Sequence, residues 1–299
     1  MEVIFLGTSE ATPTAEKNQA AMLLVHRDEQ ILIDCGENAQ RQIKIAKLNP
    51  CKITRILITH WHGDHILGLP GLLQTLALNG YSKTLKVYGP SGTKKFLNQI
   101  LGMFLFVGKL KTEIHEINNN GVFLESDDFK LEAYKMKHTA PCLAYSFIEK
   151  DRRRIKMDYI KKIGIKPGPL LGELQRGKNI KHNGKTIKAK DATYLIKGKK
   201  VAFILDTMLN ENCIKAAKDA DLLISESTFL HSEHADKAKE RGHLTAKQTA
   251  EIAKKAKVKR LLLTHISQRY SKDETPILQE AKKTFKNAEL AKDFMKIIL

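Results

Sequence analysis

Thr59-His60-Trp61-His62-Gly63-Asp64-His65 constrains this chain more than any other stretch. Three imidazoles and a carboxylate fall within six residues. The apolar, β-branched run Ile56-Leu57-Ile58 precedes them, as in a buried strand. Ile66, Leu69, Leu72, Leu73 and Leu76 follow at helical spacing. The cluster therefore belongs on a strand-to-helix turn, just past the strand's carboxyl end, where open α/β sheets keep their ligand sites. Imidazole nitrogen and carboxylate oxygen bind zinc-class ions at about 2.0–2.2 Å, so the ligands must converge from a tight loop. Alternate residues of an extended segment point the same way. His60 and His62 can thus grip one ion, and Asp64 and His65 can face a second. A polar turn with chance histidines is the plain alternative, and residues of these types at this density argue against it.

The same theme recurs along the chain. A strand over Phe129–Tyr134 runs on to His138, one over Val201–Leu205 ends at Asp206, and one over Arg260–Leu263 ends at His265. One rim of an α/β fold would then carry all the ligands. Val3–Leu6, Ala21–Val25, Gln30–Ile33, Leu85–Gly89 and Leu222–Glu226 also read as strands, and Ala192–Ile196 with Val201–Leu205 reads as a hairpin. Asn38–Leu48, Leu69–Leu78, Gly92–Leu101 and Lys215–Ala220 read as helices, and Thr245 suits the N-cap of another. The lysine-rich tail reads as helical. Asp34 ends a buried strand and could hold a neighbouring loop or sit near the metals; because it stands apart from the ligand cluster, the structural role is favoured. His231 and His234 are expected at the surface.

The chain has 299 residues, 42% hydrophobic, which suits one large domain or two small ones, with ample core. No apolar run approaches the roughly 20 residues that span a bilayer, so no membrane is expected. The N-terminus lacks a basic start and cleavage site, which points to a cytoplasmic protein. None of the four cysteines forms a Cys-x-x-Cys pair, so buried free thiols are expected. Net charge is +18, and the excess concentrates between Lys150 and Lys200. Gly164, Pro167, Gly168, Pro169 and Gly172 lie in its middle. That composition fits an excursion built on turns, not a packed helix. It is either a solvated loop or an arm that docks on a polyanion.

The whole pattern resembles the metallo-β-lactamase superfamily, whose His-x-His-x-Asp-His signature matches residues 60–65, with His138, Asp206 and His265 as later stations. Within it, the chain is most similar to the short form of the ribonuclease Z family, tRNA 3′-processing endonucleases. Phe5-Leu6-Gly7-Thr8 with Pro13-Thr14, the run His65–Leu73, the Gly/Pro-rich arm and Gly242-His243-Leu244-Thr245 each resemble that family's motifs. The resemblance implies an αβ/βα sandwich over 1–299 with 150–190 inserted as a protruding tRNA-binding exosite arm. It implies two zinc ions, with manganese or iron as substitutes. His60, His62 and His138 would hold one ion, Asp64, His65 and His265 the other, and Asp206 would bridge. Asp64 would orient and deprotonate the attacking water, and His243 would act as general acid. Lys161, Lys162, Lys166, Pro167, Gly168, Arg176 and Lys178 would contact RNA. The implied activity is endonucleolytic removal of the 3′ trailer from precursor tRNA, leaving a 3′-hydroxyl, by a homodimer. The rival enzyme on the same scaffold is a small-molecule phosphodiesterase. A non-catalytic RNA-binding protein with a structural metal would need only four closed ligands, fewer than the chain offers.

Overall fold

In the strand Glu2–Gly7 every residue after Glu2 is buried, so this strand is covered on both faces. It lies second in a seven-stranded sheet ordered Lys296–Ile298, Glu2–Gly7, Ala21–His26, Glu29–Ile33, Arg55–Leu57, Leu85–Gly89, Thr112–Glu116. A second seven-stranded sheet is ordered Ala288–Leu290, Leu261–Thr264, Leu222–Glu226, Lys200–Ile204, Cys142–Glu149, Phe129–Met136, Gly121–Glu125. This computed structural model describes residues 1–105 and 110–299.

The sheets pack face to face across a core that includes Phe5, Ile33, Leu57, Tyr145, Phe147, Phe203 and Leu262. Helices cover the outer face of each. Leu69–Leu78, with a proline in its first turn, turns Leu69, Leu72, Leu73 and Leu76 onto the first sheet. Ala246–Lys255 starts at a capping box between Thr245 and Gln248 and packs Ala246, Ala250 and Ala253 on the second. The architecture is thus an αβ/βα sandwich.

Strands 29–33, 55–57, 85–89 and 112–116 run parallel, as do 200–204, 222–226, 261–264 and 288–290. Their carboxyl ends meet at one rim. There the Leu143 N–H donates to the Thr59 carbonyl at 2.9 Å and the Tyr145 hydroxyl to the Ile58 carbonyl at 2.7 Å, tying one sheet to the other.

The arm departs from the expected loop. Arg152–Ile155 pairs antiparallel with Thr193–Ile196, forming a stem. The second of these strands therefore does not pair with Lys200–Ile204, and the expected hairpin is absent. Lys200–Ile204 instead fills a central place between Cys142–Glu149 and Leu222–Glu226. Beyond the stem come helices Met157–Lys162 and Pro169–Gln175, with Ile160, Ile165, Leu174, Ile180 and Ile187 in a small core of their own. Gly164, Pro167 and Gly168 form the turn between two packed helices, with Gly164 at φ +73°, while Pro169 and Gly172 lie in the second helix. The tail also differs. Its helix Thr275–Thr284 is followed by two short strands, one at the edge of each sheet. All four cysteines are free. Among the described residues no helix is long and apolar enough to cross a membrane.

Candidate metal centre

The Arg55–Leu57 strand delivers Thr59 and His60 to the rim, and a short helix from Gly63 to Ile66 turns Asp64 and His65 inward, both buried. His138 arrives after Phe129–Met136, Asp206 after Lys200–Ile204, and His265 after Leu261–Thr264. Residues up to 205 positions apart in sequence thus meet at one place.

They form two donor sets. His60 Nε2 lies 3.1 Å from His62 Nδ1, and His138 Nε2 lies 3.2 Å from the same atom. Asp206 Oδ2 stands 3.7 Å from both Nε2 atoms. In the second set Asp64 Oδ2 is 3.1 Å from His65 Nε2 and 3.3 Å from His265 Nε2. Asp206 Oδ1 is 3.4 Å from His65 Nε2 and 3.2 Å from His265 Nε2. Tetrahedral ligands about 2.0–2.1 Å from an ion sit roughly 3.3 Å apart, so both sets have the right spread. One Asp206 oxygen faces each set.

Two buried atoms test the fit. His65 Nε2 and Asp206 Oδ1 have no hydrogen-bond partner, although buried polar atoms normally find one. Both point into the second donor set, where a cation would satisfy them. The far nitrogens of the rings are fixed. His60 Nδ1 meets the Thr59 hydroxyl at 3.1 Å, His138 Nδ1 the Gly242 carbonyl at 2.9 Å and His265 Nδ1 the Thr228 hydroxyl at 3.1 Å. Such outer contacts set the tautomer that turns a lone pair toward an ion. Gly242 is needed for this approach. It sits at φ +76°, and a Cβ there would lie 2.9 Å from His138 Nδ1. The donor set suits a divalent metal.

Asp34 corrects the expectation that it stands apart. Its carboxylate accepts from His65 Nδ1 at 2.6 Å, from the Thr59 amide at 2.7 Å and from the Thr59 hydroxyl at 2.7 Å. It occupies φ +55°, fully buried, and orients a ligand of the second set. Its place at the end of a buried strand beside the cluster was the available signal. Glu226 was missed as a site residue. Its Oε2 lies 3.1 Å from His243 Nδ1, and its Oε1 accepts the Thr207 amide at 2.6 Å. A fully buried glutamate at a strand's carboxyl end carries the same signal as His60.

Electrostatics follow from this crowding. Burial lowers the pKa of His60, and the neighbouring imidazoles lower it further. Burial opposes charge on Asp206, yet His265, His65 and His243 hold its carboxyl well below the usual range. Burial alone would lower the pKa of His243. Glu226, with Asp206, overrides it and raises the value to about 9. The His243 side chain is 14% exposed at the mouth of the site.

His231 and His234 lie half-buried at the surface. They open an unexpected helix, His231–Arg241, and His234 Nδ1 pairs with the Tyr270 hydroxyl at 2.7 Å. The residues expected to contact RNA lie elsewhere. Lys161, Lys162, Lys166, Pro167, Gly168, Arg176 and Lys178 are all exposed on the arm. Arg176 and Lys178 share Glu173, which offsets part of their charge. A cleft of about 820 Å³ lies at the arm's root, not at the rim. Arg152, Arg153 and Arg154 line it together with Asp127, Asp128 and Asp151.

Comparison with known proteins accords with this geometry. A family model described as anti-Pycsar protein Apyc1 matches residues 1–155, and the β-lactamase superfamily domain matches residues 164–266. Ribonuclease Z of Methanothermobacter thermautotrophicus is 41% identical over 298 residues, 99% of this chain and 96% of the relative. Ribonuclease Z of Bacillus cereus is 39% identical over 300 residues, covering 98% and 97%. The crystal structure of human tRNase Z, short form, superposes with a TM-score of 0.70 at 28% identity, covering 100% of this chain and 99% of that one. On these relatives, 39–41% identical over nearly the whole chain, the chain belongs to the ribonuclease Z family, on the fold of the β-lactamase superfamily.

Proposed function

We propose that this chain is a two-metal endoribonuclease that removes the 3′ trailer from precursor tRNA and leaves a 3′-hydroxyl. The observation that carries the reading is the carboxylate of Asp206, with one oxygen in each of two adjacent donor sets. His60, His62 and His138 would hold one ion, and Asp64, His65 and His265 the other. Zinc suits imidazole and carboxylate donors; manganese and iron are the alternatives. When bound, the ions supply Lewis acidity at the phosphodiester and at a water nucleophile.

The protein's own groups then have defined tasks. Asp64 Oδ2 lies at the edge of the second set, where it can orient the attacking water and take its proton. His243 gives a proton to the departing 3′-oxygen. Glu226 on Nδ1 keeps the imidazole charged and leaves Nε2 for the substrate. The arm binds tRNA through phosphates, which adds affinity without base readout.

Strand direction bears on how the arm works. Cys142, whose thiol reaches the Asp206 carbonyl at 3.1 Å, begins the strand that ends at Glu149, and the arm starts there. That strand is about 23 Å long at roughly 3.3 Å per residue. The arm thus leaves the sandwich at the edge opposite the metal rim. In a homodimer, one subunit's arm could present tRNA to the other's site.

The test is incubation with a precursor tRNA carrying a 3′ trailer, with the cut mapped and the bound metal counted. A cut at the mature 3′ end with two ions per chain supports the reading. Hydrolysis of small phosphodiesters that precursor tRNA does not compete with would favour the small-molecule phosphodiesterase instead.

A further inference from the structure

His265 holds an uncommon backbone, with φ +56°, in the left-handed region that strains a residue with a side chain. Surrounding bonds must enforce it. The Thr228 hydroxyl, whose single proton faces both Glu226 Oε2 at 2.6 Å and the His265 carbonyl at 2.9 Å, packs against His265, and the His265 N–H donates to the Thr8 carbonyl at 3.0 Å. That last bond depends on where the loop after the first strand lies. Thr8 is 1% exposed and belongs to that loop.

A carboxylate near the C-terminus sets the loop. Asp293 Oδ1 accepts the Thr8 hydroxyl at 2.7 Å. Asp293 Oδ2 accepts the Asn18 amide at 2.8 Å and Gln42 Nε2 at 3.1 Å. The same Gln42 nitrogen donates to the Leu6 carbonyl at 2.8 Å. Both ends of the loop and a helix of the first sheet thus converge on one side chain. Asp293 is itself held in register, because Phe294 N donates to Phe5 O at 2.7 Å and Phe5 N to Met295 O at 3.0 Å. None of these groups belongs to a donor set, and the reaction as described does not use Asp293.

We propose that Asp293 is a positioning residue for the second metal site: it gathers Thr8, Asn18 and Gln42, and so fixes the loop whose Thr8 carbonyl holds His265 in its ligating conformation. The proposal rests on His265 being a ligand of that site. A residue that merely pinned the two termini together would lower thermal stability and leave metal affinity in the folded protein unchanged.

Zn(2+) titration of the full-length metal-free protein against a chromophoric chelator separates these roles, with the unfolding midpoint recorded for each variant. His265→Ala identifies which binding step belongs to the second site. In Asp293→Ala that step should weaken by about 10- to 100-fold, the range for groups that orient metal ligands. The other step should stay put. With precursor tRNA, kcat should fall at nearly constant KM. Thr8→Val keeps the Thr8 carbonyl and removes only its hydroxyl, so it should shift the same step less. It also serves as the deciding variant if Asp293→Ala fails to fold. Unchanged affinity, or equal weakening of both steps, would overturn the proposal. A wild-type protein that binds fewer than two ions would overturn the two-metal reading as well. Two wild-type steps with neither altered in the variants would overturn this inference alone.

Discussion

The metal rim and the basic arm are built on opposite physical terms. At the rim, most donor side chains are buried and their rings are turned by other residues, as Asp34 turns His65 and Gly242 turns His138. In the arm, the small core is apolar and the charges project outward, with Lys161, Lys162 and Lys166 exposed. Chemistry needs donors held within a fraction of an ångström, which only packed structure supplies. Counterion release needs many accessible charges and little geometry. The two regions also sit at opposite edges of the sandwich, so each can change without disturbing the other.

The largest effect should come from Asp206→Ala, which touches both donor sets. Cleavage should fall at least about a thousandfold on precursor tRNA and on a small phosphodiester alike, since metal charge stabilisation is worth several kcal/mol. Elemental analysis should show both ions depleted. Full activity would break the division between rim and arm at its centre. His243→Ala should lower kcat by about 10²–10⁴-fold with tRNA binding nearly unchanged, the range for a lost general acid. Glu226→Gln sharpens this point through pH. The carboxylate raises the His243 pKa to about 9, so the acid form persists until pH climbs through that value. Without the carboxylate the alkaline limb of the kcat profile should move to lower pH; an unmoved limb would detach Glu226 from His243.

Asp34→Asn comes next, with metal affinity at the second site weakened by about 10- to 100-fold as the His65 ring loses its charged acceptor and one oxygen must serve both His65 and Thr59. Equal affinity in chelator competition would return Asp34 to a purely structural role. The arm should give the smallest effect per residue. Replacing Lys161, Lys162 and Lys166 by Ala should weaken precursor binding and flatten its salt dependence by about 0.7–0.9 per charge removed. A steeper loss on a small phosphodiester than on tRNA would show that the arm supports the rim and not the RNA.

Residues near one another in sequence were readable as a site. His60, His62, Asp64 and His65 needed no tertiary information, because one strand-to-helix turn brings them together. His138, Asp206 and His265 were readable as strand ends, a positional signal that survives without knowing which strands pair. Asp34 and Glu226 carry the same strand-end signal, but each works through one contact to a residue 31 or 17 positions away. Nothing local separates such a carboxylate from a polar cap. The arm misled for a related reason. Its glycines and prolines mark a turn, and its apolar Ile160, Leu174 and Ile187 are too widely spaced to announce a shared core.

The amino-acid sequence alone determined the chemistry available: imidazoles and carboxylates at strand ends, and an excess of positive charge in one excursion. Periodicity and spacing are local, so they could specify this much. The tertiary structure decided that Asp206 turns one oxygen to each donor set, and that Thr193–Ile196 closes the stem of the arm instead of joining the next strand. It also decided that Asp293, near the C-terminus, reaches the loop beside His265. These depend on which strands lie side by side, and pairing across long stretches of chain is settled only when the whole core is buried.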